Sequence, residues 1–202
     1  AGATVGHGLS SALDMMIVKE RNGVSGWNVF HSSLGGTKRI QLEATTAATT
    51  VSNIWNDTAP SSSLITLGAS GAANENNMPN IAYCFHSVTG YSKFGTYNGD
   101  GTNNGSNAVN VGFNPAFVMI KCTNDAESWW IFDNARNPLN GGEDPKRIQA
   151  DTDGAETTGG STGSDWVELT STGFKMTGSG GGTNGGSGQT YIYMAFADKR
   201  EY

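Results

Sequence analysis

Apolar and polar positions alternate along most of this chain, in runs too short for ordinary helices and broken by Gly, Asn and Ser. In the run from Phe117 to Cys122, one face takes Phe117, Met119 and Lys121 and the other takes Val118, Ile120 and Cys122. Both faces are mostly apolar, which predicts a central strand. The polar stretch Asn124 to Ser128 supplies a turn, and Trp129 to Phe132 reads as the next strand. Further on, Trp166, Val167 and Leu169 precede a turn at Ser171 to Gly173. Phe174 and Met176 then alternate with Lys175 and Thr177, a strand with one solvated face. The run "TYIYMAFAD" predicts a long apolar strand, and Ile81 to Val88 predicts its counterpart, continuing into Tyr91, Phe94 and Tyr97. Only "EATTAATTVSNIW" invites a helix, and its threonines lose rotamer freedom there and compete for backbone bonds, so it reads as loop and strand.

The pattern occurs twice. Met15-Met16-Ile17-Val18-Lys19 falls on Phe117-Val118-Met119-Ile120-Lys121 at an offset of 102, with Asn22 on Asn124, Trp27 on Trp129 and Phe30 on Phe132. Lys38-Arg39-Ile40-Gln41 falls on Lys146-Arg147-Ile148-Gln149 at an offset of 108, and Trp55 on Trp166 at 111. "IAYCF" falls on "IYMAF". Blocks that keep their order imply an internal duplication. The expected fold is all-β, an internally duplicated antiparallel β-sandwich of jelly-roll or lectin-like kind. The expected organisation is a first repeat over residues 1–97, a Gly/Asn-rich connection over 98–110, and a second repeat over 111–202. Whether the copies form one sandwich or two is open at this stage. The Gly-rich stretch Gly178 to Gln189 sits inside the second copy, opposite "GASGAANENNMPN" in the first, and is expected to make ordered contact.

Composition narrows the function. The 202 residues include 29 glycines and carry a net charge of −6, and no Lys/Arg block exceeds two residues. That excludes the basic stripe of a nucleic-acid surface. No run of 18 apolar residues is present to span a bilayer as a helix, and no membrane insertion is expected. The chain opens on Ala1 rather than Met, so an upstream part is expected to have been removed or left out. Cys84 and Cys122 lie in apolar runs and read as buried free thiols, though one disulfide stays open.

Catalytic chemistry finds little support. His7, His31 and His86 are scattered and read as strand-end residues rather than zinc ligands. Ser161 and Ser164 miss the G-x-S-x-G spacing, and nothing brings two of Glu127, Glu143 and Glu168 together. An enzyme is not expected, nor a cofactor. The one metal weighed is a calcium ion near Asp151 and Asp153, whose loop lacks the closing Glu of a twelve-residue calcium loop. Aromatic residues are the stronger signal. Trp129 and Trp130 are adjacent and face opposite ways in a strand; because Asn28 stands where the second copy has Trp130, Trp27 and Trp129 read as the core pair and Trp130 as the outer ring. Tyr91, Phe94, Tyr97 and Trp130 are the candidate ligand or interface residues.

The blocks "NIAYCFHSVTGYSKFGTYNGDG", "VNVGFNPAFVMIKCTNDAESWWIFDNARNP", "KRIQADTDGAETT", "STGFKMTG" and "TYIYMAFAD" resemble a duplicated domain of unknown function found in structural and tail-fibre-like proteins of marine bacteriophages, especially cyanophages. Its motifs are a strand with "IK", a D-x-x-R after an aromatic strand, here Asp133 to Arg136, a Thr-rich stretch and a "GF" hairpin; the first copy has His31 to Leu34 in place of the D-x-x-R. The resemblance implies a virion protein on the extracellular particle surface. It implies a tail or fibre component, homo-oligomeric and by analogy trimeric, contacting other virion proteins and a host surface glycan. The alternative expectation is a carbohydrate-binding module.

Overall fold

The structure, a computed structural model, describes residues 2–137, 146–158, 165–186 and 188–199. Ser161, Ser164 and Glu143 lie outside the described residues. The chain divides into two compact units, Ala1–His86 and Ser87–Tyr202.

The first unit runs β1 (Ala3–Gly6), β2 (Met15–Glu20), β3 (Asn28–His31), β4 (Lys38–Gln41), β5 (Thr49–Thr50), β6 (Leu64–Leu67), α1 (Gly71–Asn74) and β7 (Asn80–Phe85). Five strands form one antiparallel sheet in the order β5-β4-β3-β2-β7, and β1 pairs with β6 in a second. Met16 and Val18 of β2 and Phe30 of β3 share a core with Ile65 and Leu67 of β6. Trp55 fills its centre, edge-on to Phe30, and its indole N–H donates to the Lys38 carbonyl at 2.9 Å. The α1 turn was not foreseen from sequence; Ser70 caps it, its hydroxyl accepting from the Ala72 N–H. The Thr-rich segment before it forms loop and the short β5 strand, as its composition predicts.

The second unit runs β8 (Ser92–Asn98), β9 (Ala108–Asn110), β10 (Pro115–Cys122), β11 (Trp130–Asp133), β12 (Lys146–Gln149), β13 (Thr157–Thr158), β14 (Val167–Thr170), β15 (Gly173–Met176) and β16 (Thr190–Ala197). Its large sheet has the order β13-β12-β11-β10-β16-β8, and its small sheet β14-β15-β9. Val118, Ile120 and Phe132 of the large sheet share a core with Val167, Leu169, Phe174 and Met176 of the small one.

The pairings of the two units coincide. Ile17 lies opposite Val29 as Met119 lies opposite Ile131, and Arg39 opposite Thr49 as Arg147 opposite Thr157. On the other side of β2, Ala82 lies opposite Val18 as Tyr193 lies opposite Ile120 across β10. One pairing differs between the units. In the second unit β8 pairs along β16, whereas β7, the strand in the matching place of the first unit, ends its sheet. The sequence grouping of Tyr91, Phe94 and Tyr97 with the first repeat is therefore not the structural one, because the strand bearing Phe94 and Tyr97 joins the second sheet through its backbone ladder.

Candidate functional site

Two places stand out, one in each unit. In the second, Arg147 of β12 lies between two indoles, its guanidinium carbon 3.9 Å from the Trp130 ring centroid and 4.3 Å from that of Trp166. It donates to the Asp165 carbonyl oxygen and forms an ion pair with the Asp165 carboxylate at 3.6 Å. Burial holds the Arg147 guanidinium below its ordinary pKa even against the pull of Asp165, and burial pushes the Asp165 carboxyl up against the pull of Arg147. Desolvation thus outweighs pairing on both partners. Asp165 also accepts the Thr183 N–H at 3.0 Å, which ties the Gly-rich loop to this cluster.

That loop is ordered by buried polar side chains. Tyr97 donates its hydroxyl to the Thr183 carbonyl at 2.7 Å, and Tyr191 donates to the Gly181 carbonyl at 2.6 Å. The Asn184 amide donates to the Asp100 carboxylate, the Thr102 carbonyl and the Gly178 carbonyl, and its oxygen accepts from the Asp100 N–H. Glycine is required at Gly182, where a Cβ would stand 2.1 Å from the Trp130 indole nitrogen.

The four aromatic candidates are thereby placed. Trp130 is 7% exposed and belongs to the inner core, so the reading of Trp130 as the outer ring is corrected: it lies beneath the glycine loop and beside Arg147. Its counterpart Asn28 is also buried, and binds the Ala72 carbonyl and the Arg39 guanidinium. An arginine thus meets a buried residue of β3 or β11 in both units, through a hydrogen bond in one and ring stacking in the other. Tyr97 stacks on Tyr191 at 4.9 Å, and Phe94 meets Phe196 edge-on at 5.9 Å. Tyr91 alone of the four stays open, 52% exposed with its edge toward Phe196.

The carboxylates weighed for calcium have structural partners. Asp151 accepts the Trp129 N–H at 3.0 Å, as Glu43 in the corresponding loop accepts the Trp27 N–H at 2.8 Å. Asp153 is exposed, and among the described residues no group of three or more His, Cys, Asp or Glu side chains could hold a metal ion. Asp133 of the D-x-x-R motif caps its own turn, accepting from the Ala135 and Arg136 N–H groups and pairing with the Arg136 guanidinium. Glu168 pairs with Lys175 at 3.0 Å. His7 is held by the Ser61 carbonyl and the Leu9 N–H, and His31 by the Ser33 hydroxyl. Both cysteines are free.

Lys121 is a residue the sequence did not single out. It is fully buried, donates to the Cys122 carbonyl at 2.9 Å, and desolvation lowers its pKa from 10.5 to about 8. Below pH 8 the ammonium is charged in both the folded and unfolded chain. Between about 8 and 10.5 the folded chain has released a proton that the unfolded chain still holds, so this group's contribution to stability rises with pH. The buried Cys122 thiol and the Tyr191 hydroxyl, both with raised pKa, act in the opposite sense. A Lys121→Met variant isolates the contribution of the ammonium group from these two. Between about pH 7 and about pH 9.5 the wild type gains on the order of 2 kcal/mol relative to the variant in urea unfolding. Parallel pH profiles would reject the assignment.

The second place, in the first unit, is an apolar cavity of about 480 Å³ lined by Val5, Val18, Ile65, Leu67, Ala82 and Cys84 among others. Its wall is mainly aliphatic, with His7, Asn80 and Cys84 also contributing, so it is a space suited to apolar side chains or ligands.

Fold and sites together define an all-β protein of two units whose polar side chains chiefly brace loops. Residues 1–200 match the family described as Domain of unknown function (DUF7483), and the chain belongs to that family. No curated protein and no solved structure matches it. No helix among the described residues is long and apolar enough to cross a membrane.

Proposed function

We propose that this chain is a structural, non-enzymatic building block of a bacteriophage tail or fibre, made by internal duplication of a β-sandwich. The observation that carries the reading is where the polar chemistry goes. Asn184, Asp165, Tyr97, Tyr191, Glu43 and Asp151 all point at backbone groups and fix loops on rigid sheets. Side chains spent in this way stabilise a shape and leave few groups converging on the one apolar cavity described above. Duplication is supported by the coincident registers and the sandwich by core clusters shared between two sheets in each unit. Virion surface, homo-oligomeric (trimeric) assembly and a host-surface contact are carried by the resemblance in sequence. Mass spectrometry of purified particles from the encoding phage tests the reading, with the chain expected among the stoichiometric components. Its absence from intact particles would reject the assignment.

A carbohydrate-binding module is the second reading, favoured by Tyr91, the one candidate ring left exposed. A glycan array on the purified protein separates the two. Silence across host-derived glycans supports the scaffold. Specific binding that is lost in Tyr91→Ala, with an unchanged thermal melt, supports the module.

A further inference from the structure

The outer edge of β7 has no strand paired to it among the described residues, and it is poorly protected. Ile81 is 38% and Tyr83 42% exposed, and Ala82 between them is exposed too. Such an edge presents unpaired backbone donors and acceptors, a template for another strand. The alternate side chains Asn80, Ala82 and Cys84 line the cavity, so edge and cavity form one feature. The Asn80 side-chain oxygen is buried there without a hydrogen-bond partner.

The second unit shows what belongs in this place. β16 matches β7 through their shared pairing with β10 and β2, so Tyr191 stands where Asn80 does and Tyr193 where Ala82 does. Along its free side β16 carries β8, with Tyr97 opposite Tyr191 and Gly95 opposite Tyr193. Tyr97 turns inward, stacks on Tyr191, and meets Phe174 at 6.1 Å and Tyr193 at 6.4 Å. Three tyrosines thus fill the space between the sheets of the second unit. In the first, two are replaced by Asn80 and Ala82, the third has no counterpart among the described residues, and a cavity of about 480 Å³ is found instead.

We propose that the edge of β7 and the cavity beneath it form a docking site for a strand of a partner polypeptide. The partner strand lies antiparallel to β7 and has the chemistry of β8. Its positions opposite Asn80 and Ala82 are uncharged, as Tyr97 and Gly95 are in β8, and an aromatic side chain opposite Asn80 enters the cavity. Backbone bonds to β7 supply affinity and the ring supplies register and selectivity. A second copy of this chain is not the donor, since its own β8 is already paired along β16. The inference goes beyond the virion reading and stands without it.

The test uses the whole chain and a fluorescent peptide, "SVTGYSKFGTYNGD", which is residues 87–100. The readouts are anisotropy and the rate of maleimide labelling at Cys84, a half-buried free thiol of the cavity wall, in a Cys122→Ser background. Saturable binding that slows Cys84 labelling is expected. A Tyr97→Ala peptide is expected to bind about tenfold more weakly, the loss of one stacked ring and its buried area. A peptide N-methylated on alternate residues is expected not to bind. Retained binding by the N-methylated peptide would overturn the proposal. So would absence of saturable binding at millimolar peptide, or binding that leaves Cys84 labelling unchanged, which would place the peptide on β16. Concentration-dependent dimerisation of the free chain that protects Cys84 would also overturn it, by assigning the edge to a second copy. Because Cys122→Ser alters a buried position, the labelling is repeated in the wild type with the modified cysteine identified by mass spectrometry.

Discussion

Replacing Arg147 with Met is expected to destabilise the second unit by about 2–4 kcal/mol. Removing one member of a buried ion pair leaves the other charged and unpaired, which is costlier than the pair itself was worth. Here the abandoned partner is Asp165, whose carboxyl burial already pushes above its ordinary range. The substitution also removes stacking of the guanidinium between Trp130 and Trp166, worth about 1–2 kcal/mol in a desolvated setting. The sign of the pH dependence follows. An Asp whose folded pKa is raised favours the folded state at low pH, and this advantage is lost as pH rises through its folded value. Without Arg147 the Asp165 value rises further, so the penalty in urea unfolding should be smaller near pH 5 than near pH 7. A penalty independent of pH would show that Asp165 is not the residue left unpaired. Arg147→Lys should fall between, because it keeps the charge and loses the planar face that stacks.

Gly182→Val is expected to cost about 1–3 kcal/mol, the usual range for overpacking a filled site. A Cβ at Gly182 would meet the Trp130 indole at 2.1 Å and the Asp165 carboxyl carbon at 2.9 Å. Neither neighbour can yield easily, because Trp130 lies in the core and Asp165 is held by Arg147 and the Thr183 N–H. Gly186→Ala is the control. Its Cβ meets nothing within 4 Å, and the change should lie within about 0.5 kcal/mol. Equal effects at both positions would mean that the loop's flexibility, rather than its contact with Trp130, sets the requirement for glycine.

The register match between β2 and β10 could be read from residue type alone, because apolar alternation with period two determines which side chains share a face. The repeated Lys-Arg-Ile-Gln block showed the correspondence of the copies, and folding makes it the strands β4 and β12. The carboxylates were harder. Glu43 and Asp151 differ in length and their corresponding loops differ in sequence, so their common bond to a tryptophan backbone N–H is visible only once both units are folded. Lys121 shares a mostly apolar strand face with Phe117 and Met119, but its full burial depends on what covers that end of the strand.

Sequence by itself determined the all-β class, most strand positions and the pairing partners near each turn, since these rest on local alternation and turn chemistry. Tertiary structure decided the rest. It assigned Tyr97 to the second unit, because a strand between two sheets joins whichever edge satisfies its backbone bonds and buries its ring. It turned Trp130 inward under a loop whose glycines permit close approach. It left the first unit with Ala82 and Asn80 where the second has tyrosines, and so with an open edge above a cavity. Such a vacancy is a property of volumes brought together from distant positions, and no single stretch of chain encodes it.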